Sequence, residues 1–116
     1  MIRIILPLPP PSNTAYFNLK GVGRVRTRRT KAWQTEAGWI VRAQRPPPID
    51  GPYRFAIYIP EKMRGDADGR IKLAQDLFVK MGLTPDDKHA VSSYVERSAA
   101  IRKNECLVVI KGVSEA

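Results

Sequence analysis

Two neighbouring stretches decide the class of fold: Tyr53-Arg-Phe-Ala-Ile-Tyr-Ile59 and Asp68-Gly-Arg-Ile-Lys-Leu-Ala-Gln-Asp-Leu-Phe-Val-Lys-Met81. In the first, large apolar residues occupy every second position from Phe55 to Ile59, the pattern of a half-buried strand. In the second, the spacing is helical, and the residues predicted to be buried are Ile71, Ala74, Leu77, Phe78 and Met81. Gly82 suits the position that follows a helix end. A strand followed at once by an amphipathic helix predicts a sheet covered by helices.

On the N-terminal side, residues 3–8 are predicted to form a short strand, which ends at a run of prolines. Residues 9–30 are predicted to form an extended loop. Residues 31–44 predict a helix with Thr30 as N-cap and a buried stripe of Trp33, Ala37, Ile40 and Val41. Residues 90–96 and 106–111 predict two more strands. The expected fold is one small α+β domain over residues 1–116, with a mixed, mostly antiparallel sheet and two helices in the order β-α-β-α-β-β.

Charge is unevenly distributed along the chain. The formal net charge is +9 over 116 residues. Residues 1–49 hold nine basic residues and one acidic residue, a net of +8, whereas residues 50–116 hold eleven and ten, a net of +1. Such an excess favours a polyanionic partner, because each neutralised phosphate releases counterions. A basic surface kept for solubility is the alternative.

The compartment is predicted from composition. No apolar run approaches the roughly 20 residues that a transmembrane helix needs, and residues 2–8 are too short for the core of a signal peptide. The single cysteine, Cys106, lies in an apolar run and reads as a packed thiol in a reducing compartment. We therefore expect a cytoplasmic protein with no membrane partner.

The loop predicted at residues 9–30 is long for a compact domain, and loops of that size are commonly functional. It is rich in polar and basic side chains. The predicted DNA contacts in and next to it are Asn13, Arg24, Arg26, Arg28, Arg29 and Lys31. Lys62 and Arg64 are added as phosphate contacts because they immediately precede the aspartate-rich segment.

Aspartates are concentrated in that segment. Five of the six in the chain lie between positions 66 and 87: Asp66, Asp68, Asp76, Asp86 and Asp87. Asp68, Lys72 and Asp76 follow at four-residue steps and share a helix face. Clustered carboxylates hold a proton or a cation, and Mg²⁺ prefers oxygen ligands. Phosphodiester hydrolysis needs an activated water and neutralised phosphate charge, which Mg²⁺ held by aspartates supplies, and a nearby lysine adds electrostatic stabilisation.

Simpler roles for these residues stay open. Asp68 suits a helix cap, Asp76 suits an ion pair with Lys72 or Lys80, and the pair at 86–87 suits a turn. Other metals do not fit. Read as a calcium loop that starts at Asp66, the sequence has Ile71 where the glycine is required, and one Cys with one His cannot supply a zinc site. His89 reads as a surface histidine.

The run from Asp66-Ala-Asp68 through Lys72 and Asp76 to Gly82-Leu-Thr-Pro-Asp86-Asp87 resembles the signature of RusA-type Holliday junction resolvases. The opening Leu6-Pro-Leu-Pro-Pro-Pro-Ser-Asn13 is similar to the N-terminal strand and Pro-Pro-Ser-Asn turn of that family. The resemblance covers nearly the whole chain. One position departs from the pattern, because Gly69 stands where the family usually has Asn.

The resemblance implies a homodimer that binds a four-way DNA junction and makes paired symmetric nicks with Mg²⁺ or Mn²⁺. Carried over by position, the catalytic metal ligands are Asp66, Asp68 and Asp87, and the essential lysine is Lys72. Asp76 and Asp86 become supporting residues. The symmetry fits the substrate, since a two-fold protein presents two sites to two equivalent strands. The candidate dimer surfaces are the C-terminal strands and the helix that bears Trp33 and Trp39.

Two other functions remain open on sequence alone. The first is a basic nucleic-acid-binding protein without catalysis, in which the aspartates are caps and turn residues. The second is a nuclease for another branched DNA or for RNA. Metal dependence distinguishes the first from an enzyme, and substrate shape distinguishes the second from a junction resolvase.

Overall fold

The computed structural model describes residues 1–11, 16–63 and 68–114, with the side chains of residues 16, 17 and 68 left out. The strands are β1 (Ile2–Pro7), β2 (Tyr16–Leu19), β3 (Gly23–Arg26), β4 (Tyr53–Pro60), β5 (Ala90–Ser98) and β6 (Glu105–Gly112), and the helices are α1 (Arg28–Gln44) and α2 (Asp68–Lys80). A 3-10 turn over Asp87–His89 precedes β5. The domain is α+β, as predicted.

Four strands form one mixed sheet in the order β1-β6-β4-β5. β6 is antiparallel to both β1 and β4, whereas β4 and β5 are parallel, with α2 in the connection between them. These are the four strands that the sequence predicts, each within two residues at either end. Because β6 lies inside the sheet, its backbone is paired on both sides, and the free edges of this sheet are β1 and β5.

The prediction of an extended loop over residues 9–30 is wrong in its second half. Leu19 and Gly23 are the closing pair of a β2–β3 hairpin, whose turn is held by the Val22 N–H donating to the Leu19 carbonyl at 3.0 Å. The backbone at Gly21 has a φ of 83°, which glycine adopts without steric cost. Glycines that read as loop residues are therefore the turn of a hairpin. Each strand has only four residues, too few for an alternation of apolar and polar residues to identify it.

The start of α1 also differs from the prediction. Thr27, rather than Thr30, is the N-cap, and its hydroxyl accepts from the Thr30 backbone N–H at 3.3 Å. Thr30 is fully buried inside the first turn. Either threonine suits a cap by residue type, and burial of the second one decides between them. As a result Arg28 and Arg29 belong to the helix.

The core lies between one face of the four-stranded sheet and the two helices. Predicted core residues Trp33, Ala37, Val41, Ala74, Leu77 and Phe78 are buried, with Ile40, Ile71 and Met81 partly buried at its margin. The Phe78 ring packs edge-on against Phe55 at 6.2 Å between centroids. Cys106 is buried, as predicted. Each fully buried large side chain contributes about 1.5–3 kcal/mol through removal from water.

One carbonyl links α1, β1 and β6. The Pro7 carbonyl accepts from the Trp33 indole N–H at 2.7 Å and from the Cys106 thiol at 3.7 Å. Pro7 is the last residue of β1, so these contacts connect the end of that strand to the helix and to β6. No helix among residues 1–11, 16–63 and 68–114 is long and apolar enough to cross a membrane.

Candidate functional site

Lys72 and Asp87, which the sequence analysis names for separate reasons, meet in the structure. The Lys72 ammonium lies 3.6 Å from the Asp87 carboxylate, and the two side chains are 71% and 43% exposed. Lys72 projects from the outer face of α2, on the side away from buried Ala74 and Phe78. The pair is therefore open to a ligand from solvent.

The loop after α2 places Asp87 next to Lys72 through a series of backbone contacts. Gly82, with a φ of 73°, ends the helix, and the Leu83 N–H donates back to the Phe78 carbonyl at 3.0 Å. This confirms Gly82 as the residue that follows the helix end. The Leu83 carbonyl accepts from the Ile49 N–H at 2.8 Å, which fastens the loop to the segment before β4. A loop held this firmly fixes where the following aspartates lie.

Asp86 and Asp87 are neighbours in space as well as in sequence. Asp86 is the N-cap of the 3-10 turn, and its carboxylate accepts from the Lys88 N–H at 3.4 Å. The pKa of Asp86 is lowered, first by a hydrogen bond with the Asp87 side chain and then by that backbone N–H. Carboxyl groups close enough to share a proton are also close enough to share a cation. Asp86 thus both shapes the turn and adds negative charge beside Asp87.

Asp76 lies one helical turn beyond Lys72 and is half-buried. Its pKa is raised, first because burial disfavours the charged form, and then because Asp87 and Asp86 repel it, while Lys72 and Lys80 oppose the rise. Asp76 therefore belongs to the same electrostatic cluster. The ion pair of Lys72 is with Asp87, so the predicted direct pairing of Asp76 with Lys72 is replaced by an interaction at longer range.

Tyr53 lies beneath this cluster, and the sequence analysis did not select it. Its side chain is fully buried, and its hydroxyl has no hydrogen-bond partner in good geometry within the described part of the chain. Burial is the main cause that raises its pKa, the nearby Thr84 side chain lowers it, and Asp87 and Asp86 raise it further. Tyr53 has the same strand parity as Phe55, so the alternation in β4 could have identified it as inward-facing.

The basic residues predicted as a single loop cluster are divided between two elements. Arg24 and Arg26 lie on β3, whereas Arg28, Arg29 and Lys31 occupy the first turns of α1. All but Arg26 are exposed, and the Arg26 guanidinium donates to the Gln34 side-chain oxygen at 2.7 Å. Lys62 is exposed just after β4. Hairpin and helix thus hold these charges on ordered backbone.

Residues that the sequence analysis missed complete a cleft of about 470 Å³ between α1 and α2. Its walls include Trp39 and Arg42 from α1 and Lys80 from α2, together with Arg26 and Lys31. Trp39 lies outside the buried stripe of α1 and is 65% exposed. An aromatic residue off the apolar face of a helix is the signal that could have drawn attention to it.

Three of the predicted site residues, Asn13, Arg64 and Asp66, lie outside the described residues. Asp68 opens α2, and its side chain is likewise outside the described part of the chain. Among the side chains that are described, no group of three Asp, Glu, His or Cys is close enough together to hold a metal ion. Of the predicted ligand set, the structure describes Asp87 alone.

Comparisons with known proteins add no relative: no protein-family model matches the chain, and a search of curated proteins finds no match.

Proposed function

We propose that the chain is a Mg²⁺-dependent endodeoxyribonuclease that resolves four-way DNA junctions by paired symmetric cleavage, in DNA recombination and repair. Mn²⁺ is the other candidate metal. The observation that carries the proposal is the 3.6 Å contact between Lys72 and Asp87. A cation from one helix and a carboxylate from the following loop meet at an exposed point among two further aspartates. The resemblance to RusA-type resolvases gives roles to the same two residues, Asp87 as a metal ligand and Lys72 as the essential lysine.

Each residue has a separate task in this proposal. Asp66, Asp68 and Asp87 hold the metal, for which exposed carboxylate oxygens are suitable donors. When bound, the metal would supply an activated water and neutralise charge on the phosphate. Lys72 contacts a phosphate oxygen and stabilises the charge that develops there. Asp76 keeps Lys72 oriented, and Asp86 caps the turn that presents Asp87.

The DNA lies, in this proposal, along the basic side chains of β3 and of the start of α1. The proposed phosphate contacts are Asn13, Arg24, Arg26, Arg28, Arg29, Lys31, Lys62 and Arg64. Phosphate contacts position a nucleic acid without reading its sequence, as a structure-specific enzyme needs. A homodimer would present two equivalent sites to the two strands of a junction. The proposed location is the cytoplasm.

A basic binding protein without catalysis is the second candidate. It is favoured by a specific observation, since the cleft between α1 and α2 is lined by cationic side chains and does not include the aspartates. In that case the Lys72–Asp87 contact is an ordinary surface ion pair, which typically contributes about 0–1 kcal/mol to stability. A nuclease for another branched nucleic acid would use the same carboxylates and differ only in substrate shape.

The deciding experiment is cleavage of a synthetic four-way junction and of matched linear duplex, each with Mg²⁺ or with EDTA. Wild type is compared with Asp68→Asn and with Asp50→Asn, which alters an exposed aspartate in the segment before β4. We expect metal-dependent paired nicks on the junction from wild type and Asp50→Asn. Asp68→Asn should not cut, yet should bind the junction as well or better, because a negative charge near phosphate is removed.

Three results would contradict the proposal in whole or in part. Cutting by Asp68→Asn at the wild-type rate would refute the metal-site assignment. Tight binding of the junction in EDTA, with no nicks from any form in Mg²⁺, would instead establish the non-catalytic binding protein. Equal cutting of junction and linear duplex would retain a nuclease and remove its specificity for junctions.

A further inference from the structure

The cleft between α1 and α2 combines an exposed aromatic ring with several cations. Among the residues that the structure describes, no acidic side chain lines it, whereas four basic ones do: Arg26, Lys31, Arg42 and Lys80. Its apolar surface comes from Trp39, Leu77 and Met81. Gly38 faces Leu77 across the cleft, and a Cβ at position 38 would lie 4.0 Å from a Leu77 methyl group, an ordinary van der Waals distance.

Trp39 is set up as a stacking surface. The guanidinium of Arg42 lies over the Trp39 ring at 5.5 Å from its centroid, a cation–π contact. This contact restricts the ring, and the residue nevertheless remains 65% exposed. Restricting an aromatic side chain before binding lowers the entropy cost when a ligand stacks on it.

The chemistry of the cleft indicates which ligand fits it. Arginine and lysine side chains neutralise phosphates, and an aromatic ring binds any base through its π-face. A single-stranded nucleotide presents both groups at once, whereas the bases of an intact duplex are stacked on each other. The Arg26 guanidinium is already positioned by its 2.7 Å hydrogen bond to Gln34. The cleft is therefore suited to one unpaired nucleotide with its flanking phosphates.

The cleft is also connected to the Lys72–Asp87 site. Lys80 lines the cleft and also lowers the pKa of Asp76, so it acts on both regions. Lys72 and Lys80 are eight residues apart on α2, about 12 Å along the helix axis. That distance is the rise of roughly three to four nucleotides along one strand of a duplex. A strand that reaches Lys72 can thus extend to the cleft.

We propose that the cleft binds an unpaired nucleotide of DNA, with its base stacked on Trp39 and its phosphates held by Arg26, Lys31, Arg42 and Lys80. The choice of DNA as the polymer rests on the proposed function. The cleft accepts the nucleotide that unstacks at a strand exchange point, within a few nucleotides of the bond that is cut. It thereby distinguishes a branched strand from continuous duplex.

The test is binding in EDTA, so that no cutting interferes. The ligands are a short single strand, the same strand with abasic residues and the matched blunt duplex. We expect wild type to bind the intact single strand roughly tenfold more tightly than the abasic one, as stacking of about one base provides. Trp39→Ala should bind the two single strands equally and should bind duplex as wild type does. Trp39→Phe, which keeps a ring, should retain most of the preference.

Arg54→Ala is the control for a general loss of positive charge away from the cleft. Arg54 is exposed on β4 and does not line the cleft. The variant should weaken all three ligands by a similar factor and keep the preference for bases. Quenching of Trp39 fluorescence by the intact strand, and not by the abasic one, is the corresponding spectroscopic result. If wild type does not distinguish intact from abasic strands, or if Trp39→Ala keeps the full preference, the proposal is wrong.

Failure of this proposal and failure of the proposed function are separable. A base preference that depends on Trp39, in a protein that cuts no junction in Mg²⁺, would support the nucleotide site and refute the nuclease. Metal-dependent junction cutting with no preference for bases would support the nuclease and refute the nucleotide site.

Discussion

The Lys72 ammonium and the Asp87 carboxylate lie 3.6 Å apart, although one belongs to α2 and the other to the 3-10 turn that follows a separate loop. Both side chains are substantially exposed, so solvent screens their attraction. The pair therefore adds little to the stability of the fold. Under the proposed function the pair acts on a bound ligand, and this role can be distinguished from a structural one by measurement.

Replacement of Lys72 should separate activity from stability. We expect Lys72→Met to reduce junction cutting about 10²–10³-fold, the usual cost of removing one donor that stabilises developing charge. The free energy of unfolding should change by no more than about 1 kcal/mol, since the ion pair with Asp87 is exposed. Single-turnover cleavage and urea denaturation measure the two quantities. Lys103→Met, which removes an exposed lysine far along the chain, is the control and should cut normally.

Neutralising Arg26, Arg28 and Arg29 together should weaken DNA binding, because these side chains are proposed to bind phosphates. The logarithm of affinity should fall less steeply with the logarithm of salt concentration, by about 0.9 for each duplex phosphate that is no longer neutralised. Fluorescence anisotropy at several salt concentrations measures this slope. Arg102 and Lys103, which lie just before β6, provide a control pair. An unchanged slope in the triple variant would mean that β3 and the start of α1 face away from the DNA.

The two tryptophans should differ sharply in their contribution to folding. Trp33→Phe removes the indole that donates to the Pro7 carbonyl at 2.7 Å and leaves space in the core, so we expect a decrease of about 2 kcal/mol in unfolding free energy. Trp39→Phe, at a position that is 65% exposed, should change stability by less than about 0.5 kcal/mol. Urea denaturation of both variants checks the contrast. Equal effects would contradict the assignment of Trp33 to the core.

The Cys106 thiol should resist modification and should make stability depend on alkaline pH. Burial raises its pKa from 9.0 to about 12. Because the folded-state pKa is the higher one, the thiol contributes its full stability below pH 9 and loses it as the pH rises toward 12. The decrease should approach about 1.4 kcal/mol per pH unit in that window.

Two measurements check the thiol. Disulfide exchange with a chromogenic reagent at pH 8 should be slow in the native protein and fast in urea. The unfolding free energy of Cys106→Ala should fall less between pH 9 and pH 11 than that of wild type. Rapid modification of the native protein would contradict the burial of the thiol.

Much of the fold follows from residue patterns. Alternation in residues 53–60 and helical spacing in residues 68–81 predict a strand and a helix because the period of the apolar residues matches the geometry of each element. The β2–β3 hairpin escaped prediction because strands of four residues are too short to establish a period of apolar residues. Thr27 escaped prediction as the N-cap because two threonines suit that position, and the choice between them depends on which one the sheet buries.

The candidate site, like the fold, could be predicted from the sequence only in part. The composition of residues 66–87 predicts that Asp76, Asp86, Asp87 and Lys72 are chemically related, since clustered carboxylates favour a proton or a cation nearby. Nothing in the sequence fixes the pairing of Lys72 with Asp87 rather than with Asp76. That pairing depends on the loop geometry that Gly82 and the Ile49–Leu83 hydrogen bond impose.

The amino-acid sequence by itself determined the α+β class, the order of the four sheet strands along the chain and the two helices, and it predicted a group of candidate site residues that includes Lys72 and Asp87. These properties follow from local periodicity and residue chemistry. Only the tertiary structure decided the sheet order β1-β6-β4-β5, the contact between Lys72 and Asp87, and the cleft beside Trp39. Each of these brings together residues that are distant in the chain, and such contacts depend on how whole elements pack rather than on any local preference.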